Sequence, residues 1–208
     1  MVKRLLILVF ALFLVSDCPI SAYPRLFEDV PLESPYSEAI SWAVENNITK
    51  GVDSTHFAPS QKCSRANILT FIWRACGSFP ESGENPFDDT AGRYYEDAAH
   101  WAYTNGYETG EEYADKRFFY GSTPCTRSMA IIYLWNLAGR PVSNLDDVRV
   151  FRDLNSYSSV YSLTMLQAIA WAVNRGITVG TSADTFSPET VCTRGQIITF
   201  LYRYEKSM

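Results

Sequence analysis

Three arginines stand at the same place in a recurring phrase: Arg65 follows Cys63-Ser64, Arg127 follows Cys125-Thr126, and Arg194 follows Cys192-Thr193. A hydroxyl residue just before an apolar periodic run accepts a hydrogen bond from an orphan amide of the first helical turn. Each arginine is therefore set just inside a helix N-terminus. For a cation this is the unfavourable end of the helix dipole, by a few tenths to about 1 kcal/mol, and three occurrences call for a compensating partner. Two kinds of partner fit. Free first-turn amides together with a guanidinium make a receptor for a carboxylate or phosphate. Alternatively, the arginines pair internally with Asp29, Asp89 and Asp153, which close three aromatic-led openings, Phe27-Glu28-Asp29, Phe87-Asp88-Asp89 and Phe151-Arg152-Asp153. Both hold together if the acid orients the arginine toward an anionic ligand.

Aromatic residues recur alongside them. Trp42, Trp101 and Trp171 each occupy one helical position. A flat indole suits the C–H face of a sugar, but at helical spacing it equally serves a core. Tyr36, Tyr95 and Tyr161 precede them and are candidates for the wall of a groove. Cys63, Cys125 and Cys192 precede the hydroxyl caps; three equivalent thiols either bind a metal or fill a site of fixed volume as small apolar groups. The pairing state of these three and Cys76 is left open by the spacing. His56 and His100 fall at unrelated positions of the repeat, so no repeated histidine is poised as a base. Asp88-Asp89 and Asp146-Asp147 read as turn or linker acids, and no carboxylate pair is nominated for general acid–base work. The expectation is a binding protein, not an enzyme, without cofactor or metal.

The elements that must position these residues form a repeat. Residues 39–74 align without a gap on 168–203, with about 16 of 36 positions identical, and a degenerate middle copy carries Trp101-Ala102, Gly110, Phe119, Cys125-Thr126-Arg127 and Trp135. Each unit reads as helix, loop, helix. Tyr36, Ile40, Ala43, Val44 and Asn47 lay an apolar stripe on the first helix, and Ile68, Leu69, Phe71, Ile72 and Ala75 give the second a broad apolar face. Gly77 and Gly139 suit left-handed caps. Phe57 and Pro59 plug the intervening loop onto the core, and the middle loop is longer by three residues. Helices this short cannot bury their faces alone, and the linkers at 78–86 and 140–147 are short. The fold class expected is all-α dominated: three tandem helix-loop-helix repeats packed as a pseudo-threefold bundle within one chain. The units run 23–79, 80–140 and 141–208.

The N-terminus has the form of an export signal. Lys3 and Arg4 precede an apolar run from Leu5 to Val15, too short to span a bilayer, and Ile20-Ser21-Ala22 offers a small residue for cleavage after residue 22. A lipoprotein alternative through Cys18 is disfavoured by Asp17. No membrane span is expected after cleavage. The formal net charge of −5 argues against nucleic acid, while a local arginine cluster still permits an anionic ligand.

The succession Phe-x-Asp, Ala-Ile-x-Trp-Ala-Val, Gly-x(5)-Phe-x-Pro and Cys-Thr/Ser-Arg resembles the S-layer homology (SLH) module, in a form similar to modules of clostridia-like bacteria. The resemblance spans residues 27–203. It implies a protein of the bacterial cell wall or cell surface that binds an anionic, often pyruvylated, secondary cell-wall polysaccharide in grooves between modules. By that resemblance Arg65, Arg127 and Arg194 meet the anionic group. Asp29, Asp89 and Asp153 orient them and accept sugar hydroxyls, and Tyr36, Tyr95, Tyr161, Trp42 and Trp171 stack. The family's Thr-Arg-Ala-Glu is here Ser64-Arg65-Ala66-Asn67, Thr126-Arg127-Ser128-Met129 and Thr193-Arg194-Gly195-Gln196, without the glutamate. That departure leaves an alternative standing, a surface protein-interaction module with no glycan ligand. Fewer than three working grooves are expected, with the altered one in the middle copy.

Overall fold

The computed structural model describes residues 27–154 and 160–208, with side chains from Leu163 onward in the second stretch. The export signal expected at 1–22 and the side chain of Tyr161 lie outside the described residues. Helix α1 spans Ser37–Glu45, α2 Arg65–Ala75, α3 Glu96–Thr104, α4 Arg127–Leu137, α5 Val160–Asn174 and α6 Arg194–Ser207. The helix-dominated class expected from the pattern is the one observed.

The predicted caps are formed. Ser64, Thr126 and Thr193 each accept from the amide three residues on, and Asn67 and Gln196 return the bond in capping boxes. Gly77 and Gly139 follow the helix C-caps in left-handed conformations, φ 98° and 80°. The shared loop glycine has a further cause. A Cβ on Gly51, Gly110 or Gly180 would lie 2.5–2.7 Å from the ring of Phe27, Phe87 or Phe151 respectively, the aromatic that opens the same unit. The aromatic opening and the glycine thus belong to one packing contact, closed by fully buried Phe57, Phe119 and Phe186.

One expectation is corrected. The middle loop is not irregular: its insertion folds as a β-hairpin, β1 Glu111–Tyr113 with β2 Lys116–Phe118, pairing Glu111 with Phe118 and Tyr113 with Lys116. Ala114 and Asp115 turn it at φ 51° and 60°, both positive as a tight hairpin turn of matching twist requires. Part of the predicted linker at 140–147 likewise belongs to a 3₁₀ turn, Leu145–Val148, which packs on α5.

The units are joined in a cycle. Helix α2 packs on α3, α4 on α5, and α6 on α1. At the centre, backbone hydrogen bonds run from the amide of Cys63 to the carbonyl of Cys192 (2.9 Å), from Cys192 to Cys125 (2.8 Å) and from Cys125 to Cys63 (2.9 Å). Each second helix therefore begins at a ring of three extended segments, which aims its first turn into the loop of the next unit.

Candidate functional site

The arginines do not sit in their own units. Arg194 inserts into the loop of the first unit, Arg65 into that of the second and Arg127 into that of the third. Arg194 donates from Nε to the Phe57 carbonyl (2.9 Å) and from Nη2 toward Thr49 Oγ1 (3.5 Å). Arg127 does the same with the Phe186 carbonyl (2.9 Å) and Thr178 Oγ1 (3.3 Å). Each guanidinium also lies between two rings, Phe57 and Phe71 for Arg194, Phe186 and Phe200 for Arg127, at 4.7–5.4 Å from the centroids. Only 8% of Arg194 and 3% of Arg127 remain exposed. Burial lowers the pKa of both from the usual value, yet an arginine starts so high that each stays charged at neutral pH.

Arg65 departs from this pattern. Its Nη2 makes a salt bridge to Glu108 Oε2 at 2.7 Å, with both side chains 9% exposed, and its Nε is buried without a partner. Glu108 Oε2 also accepts from Tyr133 (2.6 Å), and Oε1 from the amides of Thr109 and Gly110 (3.0 and 2.9 Å). Burial alone would raise the Glu108 pKa; Arg65, the Tyr133 hydroxyl and the Gly110 amide outweigh it and hold the carboxyl below its usual value. Burial likewise opposes the Arg65 cation, but its two partners raise its pKa overall.

The first-turn amides are not available to a ligand, contrary to the expected receptor. The amides of Arg65, Arg127 and Arg194 donate to the carbonyls of Thr123, Thr190 and Gln61, and those of Ala66, Ser128 and Gly195 to Gly121, Pro188 and Pro59. The orphan donors of each helix are thus consumed in fastening one unit to the next. Nor do the repeated aspartates bridge the arginines. Asp29 accepts from the amides of Phe57 and Ala58, Asp89 from Phe119 and Tyr120, and Asp153 from Phe186 and Ser187, at 2.7–3.0 Å. Among the described residues no ion pair joins them to Arg65, Arg127 or Arg194. They act on Arg194 and Arg127 only through space, from Asp29 and Asp153. Their carboxylates hold the loops, one amide to each oxygen.

What does open to solvent is a groove of about 500 Å³ over the first unit's loop and α2, lined by Lys50, Arg74, Asn67, Thr70, Tyr94 and Arg194 among others. It draws Tyr94 from the second unit and Arg194 from the third. Arg74 is anchored by its bond to the Ile48 carbonyl (3.1 Å), and Asn67 donates to the Tyr94 hydroxyl (2.7 Å). Three cations therefore face one concavity with a tyrosine at its edge. Lys50, Arg74 and Tyr94 were not singled out by sequence reasoning, although Arg74 recurs as Arg203 in the repeat frame. A second groove of about 400 Å³ is lined by Ser64, Asp89, Arg93, Tyr94, Tyr95 and Tyr120, with Gly121 at its floor.

The predicted aromatics divide. Trp171 is 4% exposed, packed at a tilt of 58° on Tyr204, so its ring is covered; Trp101 is buried likewise. Trp42 is half-buried against Tyr202. Tyr36 lies over Gly195, where its ring would contact an added Cβ at 2.9–3.1 Å, and Tyr95 lies over Gly121 in the same way. Both wedge a helix start against a neighbouring unit. Helix α5 contains Tyr161, whose side chain falls outside the description. The three ring cysteines are buried and unpaired. Burial pushes the Cys63 thiol up to about 11, Cys192 to about 12, and Cys125 well above its usual value. These are neutral volume fillers at the ring, not thiolates poised for a metal.

The S-layer homology domain model matches residues 26–66 and 151–198. The first match runs from the opening Phe27 to just past Arg65, and the second from Phe151 to just past Arg194. No curated protein matches the chain at a significant level. Such domains serve in general as cell-surface and cell-wall anchoring modules. Two stretches, in the first and the third unit, thus carry S-layer homology sequence.

Proposed function

We propose that this protein binds an anionic polysaccharide of the bacterial cell wall, non-covalently, through grooves formed between its units. The observation that carries this reading is the groove over α2, where Lys50, Arg74 and Arg194 converge from two units beside Tyr94 of the other. Convergent cations in a concave, partly desolvated site attract a carboxylate or phosphate far better than the same charges dispersed on a surface. Neutral partners surround them: Asn47, Asn67, Thr49 and Thr70 supply hydrogen bonds suited to sugar hydroxyls, and Tyr94, largely exposed, supplies an apolar face. The equivalent positions over α6 are Arg127 and Arg203, which donates to the Ile177 carbonyl (3.3 Å); Val179 replaces Lys50 there. A pyruvyl ketal, which places a carboxylate on a sugar ring, fits such a site. Export and residence at the cell surface follow from this function.

The test is co-sedimentation of the purified protein with wall sacculi before and after removal of the secondary polymer. Lys50→Glu is the informative variant because Lys50 is exposed and holds nothing in the fold. Expected are loss of binding on stripping the polymer and a loss of about tenfold or more in affinity for Lys50→Glu. Wild-type protein that ignores intact wall would overturn the reading and direct the search to a protein partner.

A further inference from the structure

We infer that Glu108 is a built-in counter-ion: it neutralises Arg65 where Arg194 and Arg127 meet only a threonine hydroxyl and keep their charge for an external carboxylate. This rests on the wall-binding reading above and adds to it which groove is closed and by what.

The three sockets are equivalent in backbone. Thr49, Glu108 and Thr178 each stand two residues before the shared glycine, and their amides all donate to the carbonyl six residues earlier, at Ala43, Ala102 and Ala172. The side-chain oxygens of all three accept from the shared glycine amide, at 3.3 Å for Gly51, 2.9 Å for Gly110 and 3.4 Å for Gly180. Two of the three then present a hydroxyl to the guanidinium, and the other presents a carboxylate. A second change accompanies it. The ring position six residues beyond each arginine is Phe71, Phe200 and Tyr133; only Tyr133 carries a hydroxyl, and it donates to Glu108. The threonine-to-glutamate and phenylalanine-to-tyrosine differences are chemically complementary, since the added donor satisfies the added acceptor.

Charge follows the same division. The groove over α2 gathers Lys50, Arg74 and Arg194. At the corresponding places around the Arg65 socket the chain has Thr109, Asn136 and Arg65, the last neutralised by Glu108. The guanidinium has turned to the carboxylate so far that Nε abandons the bond its counterparts make to the loop carbonyl and is left without a partner. A cation already compensated by a buried carboxylate at 2.7 Å attracts a second anion far less than an uncompensated one.

Two variants test this. In Glu108→Ala the vacated site faces Arg65 and Tyr133, and acetate, a carboxylate small enough to enter, serves as probe. Sodium acetate should raise the thermal midpoint of this variant by about 2–4 °C over sodium chloride of equal ionic strength, a measurable shift for a domain of this size. Wild type and the Arg65→Ala/Glu108→Ala double variant should show no such difference. An acetate effect absent from Glu108→Ala, or equal in wild type, overturns the inference. Should that variant fail to fold, Glu108→Thr/Tyr133→Phe copies the threonine and phenylalanine of the other sockets and takes its place. With purified wall polymer, this double variant should bind one more fragment per chain than wild type; an unchanged stoichiometry overturns the closure of the groove. If wild type binds no polymer, the wall-binding reading falls, while the acetate comparison still decides whether Glu108 holds a carboxylate site.

Discussion

The Arg194 and Arg65 sockets receive the same side chain from the same kind of helix start, yet one leaves a cation at the edge of an open groove and the other a neutralised pair. Backbone geometry does not separate them, since both helices start from the central ring and fasten their first amides to the next loop. The difference lies in side chains, Thr49 against Glu108 and Phe71 against Tyr133 in the socket, Lys50 against Thr109 and Arg74 against Asn136 beside it. A repeat can thus keep its fold while changing the charge it presents, because the contacts that fasten each helix start use amides and carbonyls, whereas the net charge of a socket depends on its side chains. The second unit, which carries Glu108, lies outside the stretches matched to the S-layer homology domain.

The largest effect that could break this comparison is in stability. Glu108→Ala leaves Arg65 buried beside an empty site and should cost about 3–5 kcal/mol, whereas Thr178→Ala, which removes an uncharged acceptor of Arg127 at 3.3 Å, should cost about 1.5 kcal/mol. Urea denaturation measures both, and equal costs would show the sockets to be energetically alike. Next come the loop clamps: Asp153→Ala removes two charge-assisted bonds to the amides of Phe186 and Ser187 and should cost about 2–3 kcal/mol. Asp89→Ala should match it, since the clamp is common to both kinds of socket; hydrogen exchange at the released amides locates the loss.

Acid should sharpen the contrast. The folded pKa of Glu108 lies below its usual 4.5, so its stabilisation is complete above that value and is lost as pH falls through the lower folded one. Glu108→Thr/Tyr133→Phe should flatten this part of the acid limb of a stability–pH curve, and an unchanged limb would place the acid sensitivity elsewhere. Smallest in stability is Lys50→Glu, expected within about 0.5 kcal/mol of wild type. Its effect should show only in wall binding and in the salt dependence of that binding.

Much of the fold was legible because its signals are local. Hydroxyl caps at Ser64, Thr126 and Thr193, glycines at 77 and 139, and the period of the apolar stripe each act within a few residues of where they stand. The plug residues Phe57, Phe119 and Phe186 were readable for the same reason. The hairpin in the middle loop escaped because Glu-Glu-Tyr and Lys-Arg-Phe are polar and short, and no glycine or asparagine announces the turn at Ala114-Asp115. Glu108 was within reach: counting back two residues from the shared glycine finds it opposite Thr49 and Thr178. Lys50 and Tyr94 carry no repeated signal, since neither recurs in the other units.

By itself, the sequence determined the repeated unit, its caps, the buried ring positions and the presence of an arginine at every second-helix start, because these depend on propensity and periodicity. Only the tertiary structure decided which loop each arginine enters. That assignment pairs the middle unit's loop, with Glu108, to Arg65 of the unit before it and not to its own Arg127. The reason is physical: the central cysteine ring points every second helix across a unit boundary, and a contact made across that boundary has no expression in the spacing of residues along the chain.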